Sequence, residues 1–363
     1  MKVLILCDHY PISPRVNKMR TSILNLFPHC KVEVFAWNRE NIKVHETYVK
    51  TFNQNLKYGN GFQKISNLIK FILASRKFIE EFSPTYIHVI DFEMLISSWF
   101  MRGEKRIIYE VFDIKFFSNK FLNYIREKME KNIIDNYIDG IITASPFFKE
   151  YYNNILKKPI NIITINNKPD FSIKDQPKSN YMVAYEQNKK GKIVIGFIGT
   201  VRYELILQNL ITAIKNNNDL LILIAGNGPS LHNIKMRITS EGLEEKVLFT
   251  GRYSNQDIKS LYEFCDFIWS AYPNKEENVQ YAISNKFFES QIFNKKIIVS
   301  KNTRLGEYVE KNNLGFAIDP YDINTIKSLL EKLEKKYIYE EKGNIGKGKY
   351  WQNEEKELIK VYK

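Results

Sequence analysis

Three cysteines, Cys7, Cys30 and Cys265, are all that this chain of 363 residues contains. They lie far apart, so neither a disulfide framework nor the paired spacing of a zinc site is available to them. Burial as small hydrophobes is the plainer reading. The five histidines are equally scattered and add no metal motif. No apolar run approaches the roughly 20 residues that a membrane-crossing helix needs. Behind Met1-Lys2, the apolar run at 3–7 has only the length of a strand. It is too short for a signal-peptide core, and no small-residue cleavage site follows it, so a cytoplasmic location is expected. There is no short-period repeat. A zinc finger, an RNA-recognition signature and a dense arginine–aromatic tract are also missing, and nucleic acid is therefore not the expected partner.

What is present is a globular composition, 44% hydrophobic and 26% charged. The length suits two domains of average size. The net charge of +13 is unevenly placed. Residues 1–200 hold 30 Lys and Arg against 19 Asp and Glu, whereas residues 201–363 hold 24 against 22. A basic first half suits an anionic membrane surface or a phosphorylated substrate. A solvated, lysine-rich surface is the alternative.

Short β-branched runs alternate with helical stretches along the first half. Strands are expected at 3–7, 31–37, 86–90, 106–112, 140–144 and 161–165, and helices at 15–26, 61–82 and 119–136. Residues 169–191 break the pattern with Lys, Asp, Asn, Gln and two prolines, and their core, 176–191, reads as a linker. The alternation then restarts. Strands are expected at 192–198, 220–225, 247–250, 267–271, 297–300 and 315–318. Helices are expected at 204–215, 255–264, 284–293, 305–311 and 321–335, with an amphipathic one at 351–362. Apolar strands alternating with helices predict an α/β fold of two doubly wound, parallel-sheet, Rossmann-like domains. The expected domains are 1–175 and 192–345, with 346–363 as a C-terminal segment.

Open parallel sheets bind ligands beyond the carboxyl ends of their strands. Three such ends in the second half carry glycine: Gly199, the pair Gly226 and Gly228, and Gly251. Glycine lets a backbone approach a ligand closely and opens a helix N-terminus that attracts phosphate. Turn and cap roles are the alternative for each. Gly199-Thr200-Val201-Arg202 brings backbone amides, a hydroxyl and a guanidinium suited to phosphate together. In Ser284-Asn285-Lys286-Phe287-Phe288-Glu289, Lys286 and Glu289 share one helix face. A carboxylate there can accept two ribose hydroxyls and the lysine can neutralise a phosphate. By spacing alone, an ordinary exposed ion pair is the simpler account.

These pieces together resemble glycosyltransferase family 4 and its GT-B relatives. The resemblance rests on Gly199-Thr200-Val201-Arg202, on Leu221-Ile222-Leu223-Ile224-Ala225-Gly226-Asn227-Gly228-Pro229, on Phe249-Thr250-Gly251, and on Asn285-Lys286-Phe287-Phe288-Glu289 leading to Lys296-Ile297-Ile298-Val299-Ser300. With Asn313-Leu314-Gly315 the chain is more specifically similar to the transferases of bacterial capsule, O-antigen (lipopolysaccharide) and related surface polysaccharides. In the first half, Pro14-Arg15, 86–91 and 108–113 resemble family strand ends more faintly, and 350–362 resembles the helix that crosses back to the first domain. The resemblance implies a GT-B fold and a nucleotide-sugar donor, UDP- or GDP-linked, used as a substrate with no separate cofactor. It gives Glu289 the donor ribose, and Gly199, Thr200, Arg202 and Lys286 the diphosphate. Backbone at Gly251-Arg252 would hold the base, and Asn285, Gly226 and Gly228 complete the site. It favours a retaining outcome and leaves an inverting one open. No Asp-x-Asp stands at a strand end, and helix dipoles with basic side chains can replace a cation, so no essential metal is expected. Three departures stand out, one of them that 205–208 lacks the basic residue usual after the first glycine turn. Tyr281 occupies the position of the family's first glutamate, with Glu276 and Glu277 nearby in an expected irregular loop. No Gly-Gly loop follows the first strand.

On the acceptor side, His88, Asp91, Glu93 and Asp113 are expected at neighbouring strand ends, facing a cleft, and His88, Asp91 or Asp113 could take a proton from an acceptor hydroxyl. The alternatives are a core histidine and a helix cap. Arg15 could contact an acceptor phosphate or hold its loop. The expected acceptor is a lipid-linked saccharide at the inner face of the cytoplasmic membrane, with peripheral docking through 57–77, including Phe62, Phe71 and Phe78. A sugar-nucleotide epimerase of the same plan and a non-catalytic partner subunit are the competing readings.

Overall fold

The computed structural model describes residues 1–54, 61–100, 103, 105–177, 180–333 and 348–362. They form two compact units, Met1–Asn167 joined by Glu354–Lys363, and Lys168–Asn353. The first unit runs β1 (Lys2–Cys7), α1 (Pro14–Leu26), β2 (Lys31–Asn38), β3 (Val49–Asn53), α2 (Gly61–Phe82), β4 (Tyr86–Ile90), α3 (Asp91–Trp99), β5 (Arg106–Val111), α4 (Lys120–Tyr137), β6 (Gly140–Thr143), α5 (Pro146–Ile155) and β7 (Ile162–Thr164). Its strands form one sheet in the order β3-β2-β1-β4-β5-β6-β7. Every neighbouring pair is parallel.

Local chemistry sets several of these boundaries. Ser13 and Ser145 accept hydrogen bonds from the amides of Val16 and Phe147, and a proline follows each, a pairing that starts a helix. Three elements of this unit were not read in the sequence: β3, α3 and α5. β3 is an edge strand with one buried residue in five, so it carries little apolar signal. α3 starts directly at the end of β4, with Asp91 at φ 58° making the turn in place of a loop.

The aromatic residues of α2 face inward. Phe71 is fully buried and stacks on Trp37 at 6.0 Å, and Phe78 stacks on Phe35 at 5.5 Å. They therefore cannot form the docking face expected of 57–77. Lys57 and the Phe62 side chain lie outside the described residues.

The second unit runs α6 (Glu186–Lys189), β8 (Ile193–Ile198), α7 (Glu204–Ile214), β9 (Leu220–Ala225), α8 (Leu231–Glu241), β10 (Val247–Gly251), α9 (Ile258–Phe264), β11 (Phe267–Ser270), α10 (Glu277–Tyr281), α11 (Asn285–Ile292), β12 (Lys296–Ser300), α12 (Arg304–Lys311), β13 (Gly315–Ile318), α13 (Ile323–Leu330) and α14 (Trp351–Glu354). Its sheet has the order β10-β9-β8-β11-β12-β13, again all parallel. All six residues of β9 are buried, as in a central strand covered on both faces. Ile195, Phe197, Leu207, Leu210, Ile222 and Trp269 are among the core. In both sheets the strand order reverses beside the first strand of the unit, which places a crevice at β1/β4 and another at β8/β11.

The expected linker is part of the second unit. A 3-10 segment, Asn180–Tyr185, lies along β10, where the Tyr181 hydroxyl donates to the carbonyls of Thr250 (2.9 Å) and Arg252 (2.8 Å), and that of Tyr185 to Phe249 (3.1 Å). The two tyrosine hydroxyls carry the contact and Met182 is buried, while Val183 and most of the polar side chains up to Gly191 are exposed, which is why composition reads as a linker. The expected helix at 351–362 is α14 followed by a 3-10 turn, Glu355–Lys360. No helix among the described residues is long and apolar enough to cross a membrane.

Candidate functional site

β8, β9 and β10 end at one edge of the second sheet, and their exits are tied to one another. The amide of Gly199 donates to Ala225 (2.8 Å), that of Val201 to Asn227 (3.0 Å) and that of Gly226 to Gly251 (2.7 Å). This interlock explains two glycines. At Gly226, with φ 135°, a Cβ would lie 1.9 Å from the Gly199 carbonyl oxygen; at Gly228, it would lie 2.3 Å from that of Val201. The neighbouring loop, rather than a ligand, demands glycine at both positions. Gly251 differs: its backbone φ of 72° favours glycine, but a Cβ there would meet no described atom within 4 Å.

Above these turns lies a cavity of ≈ 530 Å³ lined by Gly199, Thr200, Gly226, Asn227, Gly228, Arg252 and Tyr253. That volume lies within the range of small-molecule sites. Beside it, Ser284 caps α11 by accepting from the Lys286 amide, so the lysine leaves the first turn of the helix. Lys286 is 8% exposed. Its amine donates to the Tyr272 hydroxyl at 2.7 Å and stands 2.9 Å from where a Cβ on Gly199 would be. Burial pushes the Tyr272 phenol up, but the Lys286 ammonium and hydrogen bonds from Lys286, Ser284 and Ser270 outweigh it, and the phenol ends below its ordinary value. One turn on, the Glu289 carboxylate accepts from the Tyr262 hydroxyl at 2.6 Å. Burial, and then Glu289, push the Tyr253 phenol up to about 12, which places Tyr253 near that carboxylate. The edge thus combines close-approach glycine turns, a buried ammonium and an anchored carboxylate. This set suits a phosphate at one end and a polyol at the other.

The other expected residues are placed less centrally. Asn285 is exposed at the start of α11. Arg202 is exposed and outside the cavity lining; its guanidinium bonds the Tyr203 phenol. Glu204, two residues on, accepts from Gln208 (2.9 Å) and Asn233 (2.8 Å). Glu277 is helical and Glu276 is the N-cap of α10, with Tyr281 ending that helix, so the expected irregular loop is corrected. Sequence reasoning missed Asn227, Tyr253, Tyr262, Tyr272 and Tyr181. Asn227 between two glycines and Tyr253 two residues beyond Gly251 were the available signals.

At the first sheet the expected catalytic residues separate. His88 is in mid-strand, paired with Ile5 and Ile108, and fully buried, which corrects its expected place at a strand end. Its Nε2 is 2.9 Å from Glu110 Oε2, and its Nδ1 is 2.5 Å from the hydroxyl of Tyr362. Arg15 is also buried, donating to Glu110 (2.9 Å) and to the Ile165 carbonyl (2.7 Å), so it holds the interior rather than facing a ligand. Burial pushes the Glu110 carboxyl up, but Arg15 and His88 prevail and hold it below its usual range. Asp91 is a strap whose carboxylate accepts from the amides of Phe112 (2.8 Å) and Asp113 (3.3 Å). Its carboxyl is pushed well up by burial, then by Asp113. Asp113 is exposed just beyond β5, and Glu93 lies 3.6 Å from Lys115. One arrangement was not foreseen: beyond β1 the exposed His9 ring is 2.7 Å from Asp8, whose other oxygen is 3.1 Å from Arg39. Among the described residues no cluster of His, Cys, Asp or Glu could hold a metal ion.

Residues 181–350 match the family model described as Glycosyl transferases group 1. The match spans the strand-end cavity, α11 and the Tyr181 segment. No curated protein sequence matches the chain. Among solved structures, the sucrose-phosphate synthase of Thermosynechococcus elongatus aligns with a TM-score of 0.72 at 13% identity, covering 100% of this chain and 95% of that one. An Anabaena protein, HepE, in complex with UDP-glucose aligns at 0.65 and 16% identity, covering 100% and 95%. The apo form of the lipopolysaccharide outer core galactosyltransferase WaaB aligns at 0.65 and 14%, covering 99% of each chain. The fold is GT-B: two Rossmann-like, parallel-sheet domains of seven and six strands.

Proposed function

We propose that this protein is a glycosyltransferase that takes a sugar from a UDP- or GDP-linked donor and transfers it to a lipid-linked saccharide of a bacterial surface polysaccharide. The observation that carries this reading is the Lys286 amine, buried beside the Gly199 turn at the edge of the cavity, with Glu289 one helical turn away. The diphosphate would lie over the glycine turns at 199–200 and 226–228, where the backbone allows close approach, and against Lys286. The ribose hydroxyls would reach Glu289, whose orientation Tyr262 holds, and the base would lie against Arg252 and Tyr253. Developing charge on the leaving diphosphate is then met by fixed dipoles and a preoriented ammonium, with no cation required of the protein. Asp113 is the exposed carboxylate of the first sheet edge best suited to meet an acceptor hydroxyl, while Asp91 acts through the backbone that carries it. The group 1 match and the fold shared with HepE, whose structure holds UDP-glucose, support the reading.

Thermal shift with UDP-, GDP- and CMP-sugars tests it. A selective rise in melting temperature, produced by mass action and abolished by Glu289→Ala, is expected. No shift with any sugar nucleotide would overturn the donor site and favour a non-catalytic partner. Turnover of the donor without an acceptor would favour an epimerase instead.

A further inference from the structure

Helix α4 has its polarity reversed at its first turns. Its buried side carries Arg126 and Glu130, both almost fully enclosed. Glu130 accepts from Arg126 and from the hydroxyls of Tyr109 (2.8 Å) and Tyr152 (2.6 Å), while Arg126 also reaches Tyr151 (3.3 Å). The outward side carries Phe121 at 68% exposed, Leu122 at 50%, Tyr124 at 54% and Ile125 at 37%, with Phe117 beside them at 39%. The hydrophobic effect acting on this chain alone would favour the opposite arrangement. The buried ionic network fixes the helix, so these side chains stay exposed together as one patch rather than turning inward.

Lysines border the patch, Lys115 among them 3.6 Å from Glu93, and the Glu127 side chain is 42% exposed beside them. Lys115, Lys120 and Lys128 are exposed, and the Lys128 amine lies 4.6 Å from the centre of the Tyr124 ring. The acidic side chains of the helix here are engaged, Glu130 inside and Glu127 within 4.0 Å of Arg126. Phenylalanine, leucine and tyrosine ringed by lysine stems are the chemistry of a surface that enters the headgroup layer of an anionic bilayer. The patch also begins directly after β5, so it borders the strand-end edge where Asp113 stands. We infer that 117–125, with Lys115, Lys120 and Lys128, is the face by which the first unit docks on an anionic membrane. This extends the reading above, in which the acceptor is lipid-linked, and moves the docking face from α2 to α4.

The test is co-sedimentation of the full chain with vesicles of phosphatidylcholine alone or with one-third phosphatidylglycerol. Binding to the anionic vesicles only, weakening with salt, is expected. Phe121→Ser/Tyr124→Ser should lower the partition coefficient at least about tenfold. Lys120→Glu/Lys128→Glu should lower it roughly fivefold per lysine and flatten the salt dependence. All four residues are exposed, and melting temperatures should be unchanged. Wild-type protein left in the supernatant with both vesicle types, or binding indifferent to Phe121→Ser/Tyr124→Ser, overturns the inference. So does a dimer in analytical ultracentrifugation that this variant dissolves, without vesicle binding, because a second copy then covers the face. The sugar-nucleotide shift should be unaltered in both variants. Vesicle binding without any such shift would overturn the donor reading alone, and a shift without vesicle binding would overturn the docking face alone.

Discussion

The two sheets end in edges of opposite character. At the first, side chains close the structure: Asp91 straps the exit of β5, and Arg15, Glu110, His88 and Tyr362 form a continuous buried set beneath it. At the second, backbone does the joining, three exits bond to one another, and a cavity of ≈ 530 Å³ lies open above them. The same topology therefore yields one rim held by buried side-chain pairs and one held by backbone bonds between glycine turns, with the buried Lys286 ammonium beside the cavity. Titratable residues near a strand end mark a ligand site only when their partners are elsewhere. Here the cavity described above lies at the second sheet's edge.

The comparison breaks most sharply at Gly226. Gly226→Ala forces a Cβ against the Gly199 carbonyl in a left-handed backbone, and a loss of about 3–5 kcal/mol with abolished nucleotide binding is expected from urea melts and thermal shift. Gly251→Ala, strained in backbone but free in space, should lose only about 1–2 kcal/mol.

The first edge has its counterpart in Glu110→Gln, which leaves Arg15 buried without its carboxylate and should remove about 3–5 kcal/mol. Because the Glu110 carboxyl is held below its ordinary range, its contribution is complete above the unfolded-state value and lost as pH falls through the folded-state one. Wild-type stability should therefore fall over that acid window, and the variant should show a flatter limb in the same urea titrations.

At the second edge, Lys286→Met preserves bulk and removes charge. A loss of sugar-nucleotide affinity of roughly tenfold or more, with the melting temperature of the free protein little changed, would sharpen the view that this ammonium serves a ligand. Unchanged affinity by calorimetry would make it a structural partner of Tyr272. The smallest effect is expected from Tyr362→Phe, which removes one buried hydrogen bond to His88 and should cost about 1 kcal/mol.

Several residues show why parts of the site were legible and parts were not. Gly199, Gly226, Gly228 and Gly251 could be placed at strand ends in advance because strand ends follow from hydrophobic period, whereas Lys286 and Glu289 were singled out by the family resemblance and not by their spacing. His88 could not, since a histidine one or two residues from a strand end looks the same in sequence whether it faces a cleft or a buried glutamate. Its partners, Glu110 and Tyr362, are 22 and 274 residues away. The tyrosines around the cavity were hidden for a related reason. Tyr253, Tyr262 and Tyr272 carry no motif of their own in the sequence, and only the hydroxyl's partner distinguishes a packing residue from one that orients a site.

What the sequence by itself determined is the alternation of buried strands and helices, hence two parallel α/β sheets, and the glycine-ended strands that must converge at one edge of the second. These depend on local period and on backbone conformation, which neighbouring residues dictate. The tertiary structure alone decided that Gly226 and Gly228 answer to an adjacent loop, that 180–185 lies along β10, that His88 and Arg15 are interior, and that α4 buries Arg126 and Glu130 while Phe121, Leu122 and Tyr124 stay exposed. Each of these turns on contacts between residues distant in the chain, where burial and pairing, rather than pattern, set the energy of a polar group.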